Sequence, residues 1–131
     1  MALIKGLHHT ALRCVGEDEM NKAISFYCDI LGLKLLRRWG EGKDAGCMIS
    51  AGDRLIEMFA DAQPGRTDGI VDHIALETDD GDGCIEAVRR GGFEVTDEPH
   101  DLVIPSDPPF PARIAFCRGA IGESIEFFHE R

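Results

Sequence analysis

Apolar and polar residues alternate with few breaks from Leu7 to Val15, and then the period lengthens. Met20, Ala23, Ile24, Tyr27, Ile30 and Leu31 recur at helical spacing between Glu17 and Leu31. A strand followed by a helix is expected. Glu17, Asp18 and Glu19 suit the positive N-terminal end of that helix, and Gly32 stands where a left-handed C-terminal cap is wanted. Three strand-like runs come next, Lys34 to Trp39, Gly46 to Ser50 and Arg54 to Ala60. They are parted by a loop at Gly40 to Gly42 and a tight turn at Ala51 to Asp53. The first half reads βαβββ.

Residues Asp61 to Gly69, with Pro64, Gly65 and Gly69, carry no periodic apolar pattern and read as a linker. The order then begins again with a strand at Ile70 to Thr78, a helix from about Asp82 to Arg90 ended by Gly91 and Gly92, and a strand at Phe93 to Thr96. Gly81 and Gly83 disfavour the start of that helix. A proline-rich loop with Pro99, Pro105, Pro108, Pro109 and Pro111 is expected next, and then strands Ala112 to Arg118 and Ser124 to His129. The result is a second βαβββ.

The halves also match residue by residue. His9-Thr10-Ala11-Leu12 lines up with His73-Ile74-Ala75-Leu76, and Leu55-Ile56-Glu57-Met58-Phe59 with Ser124-Ile125-Glu126-Phe127-Phe128. Gly32-Leu33-Lys34-Leu35 meets Gly92-Phe93-Glu94-Val95. Each half opens on a histidine strand and closes on a glutamate strand. With 131 residues, two halves of about 60 would each be marginal alone. One domain over 1–131 is therefore expected, of modules at about 5–62 and 70–130, completed as a homodimer.

A net charge of −10 repels phosphate backbones and anionic lipid, so nucleic-acid and membrane partners are not expected and a small-molecule substrate is. No secretory signal and no run of about 18 apolar residues is visible, which points to the cytoplasm. Cys14, Cys28, Cys47, Cys84 and Cys117 are odd in number and widely spaced, with no C-x-x-C pair. They read as buried thiols rather than a disulfide framework or zinc knot.

Alternate residues of a strand share a face, so His9 lies with Leu7, Ala11 and Arg13, and His73 with Val71, Ala75 and Glu77. Glu57 lies with Leu55 and Phe59, and Glu126 with Ser124 and Phe128. Ionisable groups among apolar neighbours need partners or a metal. Two imidazoles and two carboxylates suit Zn, Ni, Co, Mn or Fe rather than a thiolate site, and would leave open positions on a six-coordinate ion. A lone strand histidine is more often a hydrogen-bonded core residue, and a lone glutamate a solvated edge residue. The recurrence of both in both halves is what favours a site. His8, one residue away, is expected on the opposite, solvent-facing side.

The stretches His9-Thr10-Ala11-Leu12-Arg13 and Phe26-Tyr27-Cys28-Asp29-Ile30-Leu31-Gly32-Leu33-Lys34-Leu35-Leu36-Arg37 resemble the first unit of bacterial glyoxalase I, in the vicinal-oxygen-chelate superfamily, whose motifs read roughly H-T-x-L-R and F-Y-x-x-x-L-G-x-K-L-L-R. The resemblance implies an α+β fold in which two βαβββ repeats form a curved mixed-sheet cup. It implies His9, Glu57, His73 and Glu126 as ligands of one divalent metal, Ni, Zn, Co or Mn, with Fe ranked below them. The activity implied is lactoylglutathione lyase-like methylglyoxal detoxification, in which a 2-oxoaldehyde–thiol hemithioacetal becomes an S-2-hydroxyacyl thioester. Glu126 would move the proton with Glu57 as its counterpart, and Arg13 would reach the glutathione part of the substrate, with a surface charge on the inner strand face as the alternative.

The chain departs from the family pattern in two places. Arg118-Gly119-Ala120-Ile121-Gly122-Glu123 replaces a D-P-D-G turn, and Gly69-Ile70-Val71-Asp72-His73 replaces G-F-G-H-I. These changes bear on thiol recognition more than on metal binding. Asp107, Arg113 and the proline-rich loop are read as solvated, with a part in a substrate pocket as the alternative. Other activities of the fold are methylmalonyl-CoA epimerase-like isomerisation, metal-free drug binding of the bleomycin-resistance type and, ranked last, extradiol dioxygenation.

Overall fold

A computed structural model of the chain describes residues 2–65, 69–119 and 123–131. Its elements run β1 (Gly6–Arg13), α1 (Gly16–Ser25), β2 (Lys34–Trp39), β3 (Gly46–Ala51), β4 (Arg54–Phe59), β5 (Val71–Glu77), α2 (Gly81–Arg90), β6 (Val95–Ile104), β7 (Phe110–Arg118) and β8 (Ser124–Glu130). This is the α+β class, βαβββ followed by βαβββ. The chain divides into two compact units. One holds His9–Asp72 with Pro105–Pro108, and the other the segment ending at His8 with His73–Ile104 and Pro109–Arg131. Among the described residues no helix is long and apolar enough to cross a membrane.

In the unit built on His9–Asp72 the strand order is β2-β3-β4-β1. The β4/β1 pair is parallel and the other two are antiparallel. Helix α1 covers one face, where Met20, Cys47, Ile49 and Met58 are fully buried with Leu12, Ile24 and Tyr27 packed against them. Its N-terminus is tied by the Val15 N–H donating to Glu19 Oε1 at 2.8 Å, which bears out the acidic first turn. The helical stretch continues past Ser25 as one wide turn, Phe26–Ile30, closed by the Leu31 N–H donating to the Phe26 carbonyl at 3.1 Å. Gly32 follows at φ +79°, the left-handed cap its position called for.

In the other unit the order is β5-β8-β7-β6, with β5/β8 parallel and the rest antiparallel. Helix α2 forms despite Gly81 and Gly83 because the Asp80 carboxylate caps it, accepting from the Gly83 N–H at 2.9 Å. A Cβ on Gly83 would collide with that carboxylate, so the glycine that weakens the helix also admits its cap. Cys84 and Ile85 of α2 pack on Ala115, Cys117 and Phe127.

The expected loop after Thr96 is corrected here: β6 runs on to Ile104 with Pro99 inside it. It lies last in the strand order and its register shifts between Asp97 and His100, so the proline's missing N–H costs no ladder bond. Pro111 likewise lies at the start of β7, leaving 105–109 as the connecting loop, where Asp107 is exposed as expected. Of the Arg118-to-Glu123 turn, 120–122 lie outside the described residues. All five cysteines are free thiols, four buried and Cys28 half-buried.

Candidate metal centre

The parallel β1/β4 ladder sets Ala11 beside Glu57, and the parallel β5/β8 ladder sets Ala75 beside Glu126. In each unit the histidine two residues before that alanine turns back to meet the glutamate. His9 Nε2 lies 3.0 Å from Glu57 Oε1, and His73 Nε2 lies 3.1 Å from Glu126 Oε1. Both alanines are fully buried, and their small side chains leave the space in which imidazole and carboxylate meet. The sequence repeat is thus a repeat of register.

His9, Glu57, His73 and Glu126 are 1–5% exposed. Burying such groups unpartnered would be costly, so each pair must share a proton or a cation. The spacing fits either. Neighbouring N and O ligands at right angles, each about 2.1 Å from a metal, stand about 3.0 Å apart. Each buried pair offers the mixed imidazole–carboxylate chemistry that a metal ion takes. The Phe116 ring meets His73 edge-on at 5.2 Å and limits how the imidazole can turn.

His8 departs from expectation. It is buried at 4% exposure rather than solvent-facing, with Nε2 2.6 Å from Glu130 Oε2 and its ring stacked on Phe128 at 4.1 Å. Arg13 lies on the side of β1 away from Leu12, which packs toward α1. Its Nε is 3.3 Å from Asp61 and 3.2 Å from Asp72, ion pairs in which Nε makes no hydrogen bond. Arg113 is tied to Asp82 at 3.0 Å and Asp101 at 3.3 Å.

The family model described as "Glyoxalase/Bleomycin resistance protein/Dioxygenase superfamily" matches residues 6–106. The chain belongs to this superfamily. It is 33% identical to lactoylglutathione lyase of Neisseria meningitidis serogroup A, over 95% of this chain and 91% of that protein. Its fold is similar to that of methylmalonyl-CoA epimerase from Mycobacterium tuberculosis, with a TM-score of 0.77 at 19% identity over 100% of this chain and 91% of that one. The Mn(II)-bound glyoxalase from Novosphingobium aromaticivorans gives a TM-score of 0.73 at 18% identity, over 98% of this chain and 40% of that one.

Within this superfamily member, cross-strand pairing reveals what sequence reading missed. Ala11, Glu57, Met48 and Arg37 form one row across β1, β4, β3 and β2. Arg37 Nη1 reaches Met48 Sδ at 3.2 Å, so a cation on β2 shares the face of Glu57. In the next row Trp39 covers Gly46, where a Cβ would stand 2.5 Å from the indole. Arg37 stands in the sequence only as the end of the F-Y-x-x-x-L-G-x-K-L-L-R stretch, and Trp39 lies in no motif. The signal was the strand register, which single-strand alternation does not contain.

Proposed function

We propose that this chain is a metal-dependent isomerase of the glyoxalase I type, converting the hemithioacetal of a 2-oxoaldehyde such as methylglyoxal and a thiol into an S-2-hydroxyacyl thioester. The observation that carries the proposal is the duplicated buried His–Glu pair, His9 with Glu57 and His73 with Glu126. In this reading the four residues hold one divalent ion, Ni, Zn, Co or Mn. When bound, the ion supplies Lewis acidity toward the two vicinal oxygens of the substrate.

The chain's own residues do the rest. Glu126 takes the proton from the carbon that bears sulfur and delivers it to the adjacent carbon, so the isomerisation needs no external acid or base. His73, 3.1 Å away, orients that carboxylate, and Phe116 steadies His73. Burial keeps bulk water from exchanging with the proton in transit. Glu57 holds the equivalent place beside His9.

The test is metal analysis of the purified chain, followed by assay of thioester formation from methylglyoxal and a thiol across a panel of divalent ions. Stoichiometric metal with metal-dependent turnover supports the reading. Metal without turnover on any adduct points instead to epimerisation beside a thioester, and a metal-free binder of small molecules points to the drug-sequestering branch.

A further inference from the structure

We infer that the Arg13–Asp61–Asp72 cluster selects a thiol whose groups at that end of the site are uncharged acceptors, and rejects carboxylates. The inference rests on the isomerase reading and names its substrate class. Ala11 stands beside Glu57, and Arg13 lies two residues further on, about 7 Å along the same face of β1. Arg37 lies in the Glu57 row itself, and Arg13 is the cation one same-face row further on, beside Phe59.

That cation is already matched. Asp61 and Asp72 stand 3.3 and 3.2 Å from Arg13 Nε, so an incoming carboxylate would meet two like charges beside the guanidinium. The pairing is electrostatic rather than hydrogen-bonded, since Nε, though buried, donates to neither carboxylate. The rest of the Arg13 side chain is part-exposed, so its terminal N–H groups keep donor capacity for a neutral oxygen, such as an amide, ester or hydroxyl, while its charge is spent on its neighbours. A net charge of −10 over the whole chain works in the same direction, lowering the local concentration of anionic substrates.

The experiment compares two thiols of one skeleton, glutathione and its diethyl ester, whose carboxylates are masked, each combined with methylglyoxal and assayed on the metal-loaded protein. The expected result is a kcat/KM roughly tenfold or more higher for the diester adduct, the scale of a single unfavourable charge contact. Asp61→Asn should narrow that preference by improving the glutathione adduct more than the diester adduct, and Asp72→Asn serves if the first variant folds poorly. Equal or better turnover of the glutathione adduct by the unmodified protein overturns this inference and leaves the isomerase reading standing. Turnover of neither adduct removes the isomerase reading, and calorimetry with S-methylglutathione and its diester then decides the point. Tighter binding of the diester supports the inference, while tighter or equal binding of the acid, or binding of neither, overturns it.

Discussion

His73 Nε2 lies 3.1 Å from Glu126 Oε1, with both side chains almost wholly withdrawn from solvent. One proton or one metal ion can satisfy that pair, and the two compete. Acid should therefore strip metal as the imidazoles protonate, and metal uptake should release protons.

The division of labour between the glutamates follows from that pair and its counterpart. Glu126→Gln keeps an oxygen that can ligate but removes the proton acceptor. Turnover should fall by roughly 10²-fold or more with metal content largely kept. Glu57→Gln should cost less. Metal quantification beside the assay separates the outcomes: metal lost from Glu126→Gln makes the residue chiefly a ligand, and near-normal turnover removes it as the base.

The neighbouring histidines should separate cleanly. His73→Ala is expected to lose the metal, whereas His8→Ala keeps it and loses stability, because its ring stacks on Phe128 and its Nε2 meets Glu130. A stacked contact and one partly exposed polar contact together suggest a loss of about 1–3 kcal/mol in denaturant unfolding. Full metal occupancy in His73→Ala would show the ligand assignment to be wrong.

Burial, opposed by nearby Arg38, pushes the Cys47 thiol from 9.0 up to about 12. Because the folded-state value is raised, the neutral thiol's contribution to stability is complete below about pH 9 and is lost as pH rises toward 12. At pH 8 a thiol reagent should modify half-buried Cys28 and spare Cys47. Cys47→Ala should flatten the alkaline limb of the stability curve. Labelling of both cysteines at one rate in the native protein would contradict this.

A hydrogen bond from Arg113 holds the Asp82 carboxyl below the ordinary carboxylate range. With the folded value lowered, the stabilising effect is present above the unfolded value and disappears as pH falls through the folded one. Carboxyl NMR titration of Arg113→Met should return Asp82 to the ordinary range. An unchanged titration would mean that the contact is not maintained in solution.

Phe26, Ile30 and Leu31 of the wide turn after α1, with Leu35 and Leu36 of β2, leave large apolar side chains in solvent, Ile30 as much as 71%. Exposed apolar side chains of this size suit the homodimer expected for so short a chain. Sedimentation at micromolar concentration should show a dimer that Ile30→Glu weakens. A monomer holding its full complement of metal would refute it.

Much of this was open to reading in the chain itself. The change from period 2 to period 3.6 marked α1, and the return of His-x-Ala-Leu and of Ile-Glu at matching places marked the residues of both buried His–Glu pairs, because periodicity and duplication are properties of local order. Tertiary structure decided the rest. Pro99 sits in a strand because β6 pairs on one side only, and Arg13 is matched by Asp61 and Asp72, residues far from it along the chain. His8 is buried because Glu130, 122 positions away, and Phe128 come to meet it. A side chain's own strand sets the direction in which it points, but its partners are brought by other strands, and their register is settled only when the whole sheet packs.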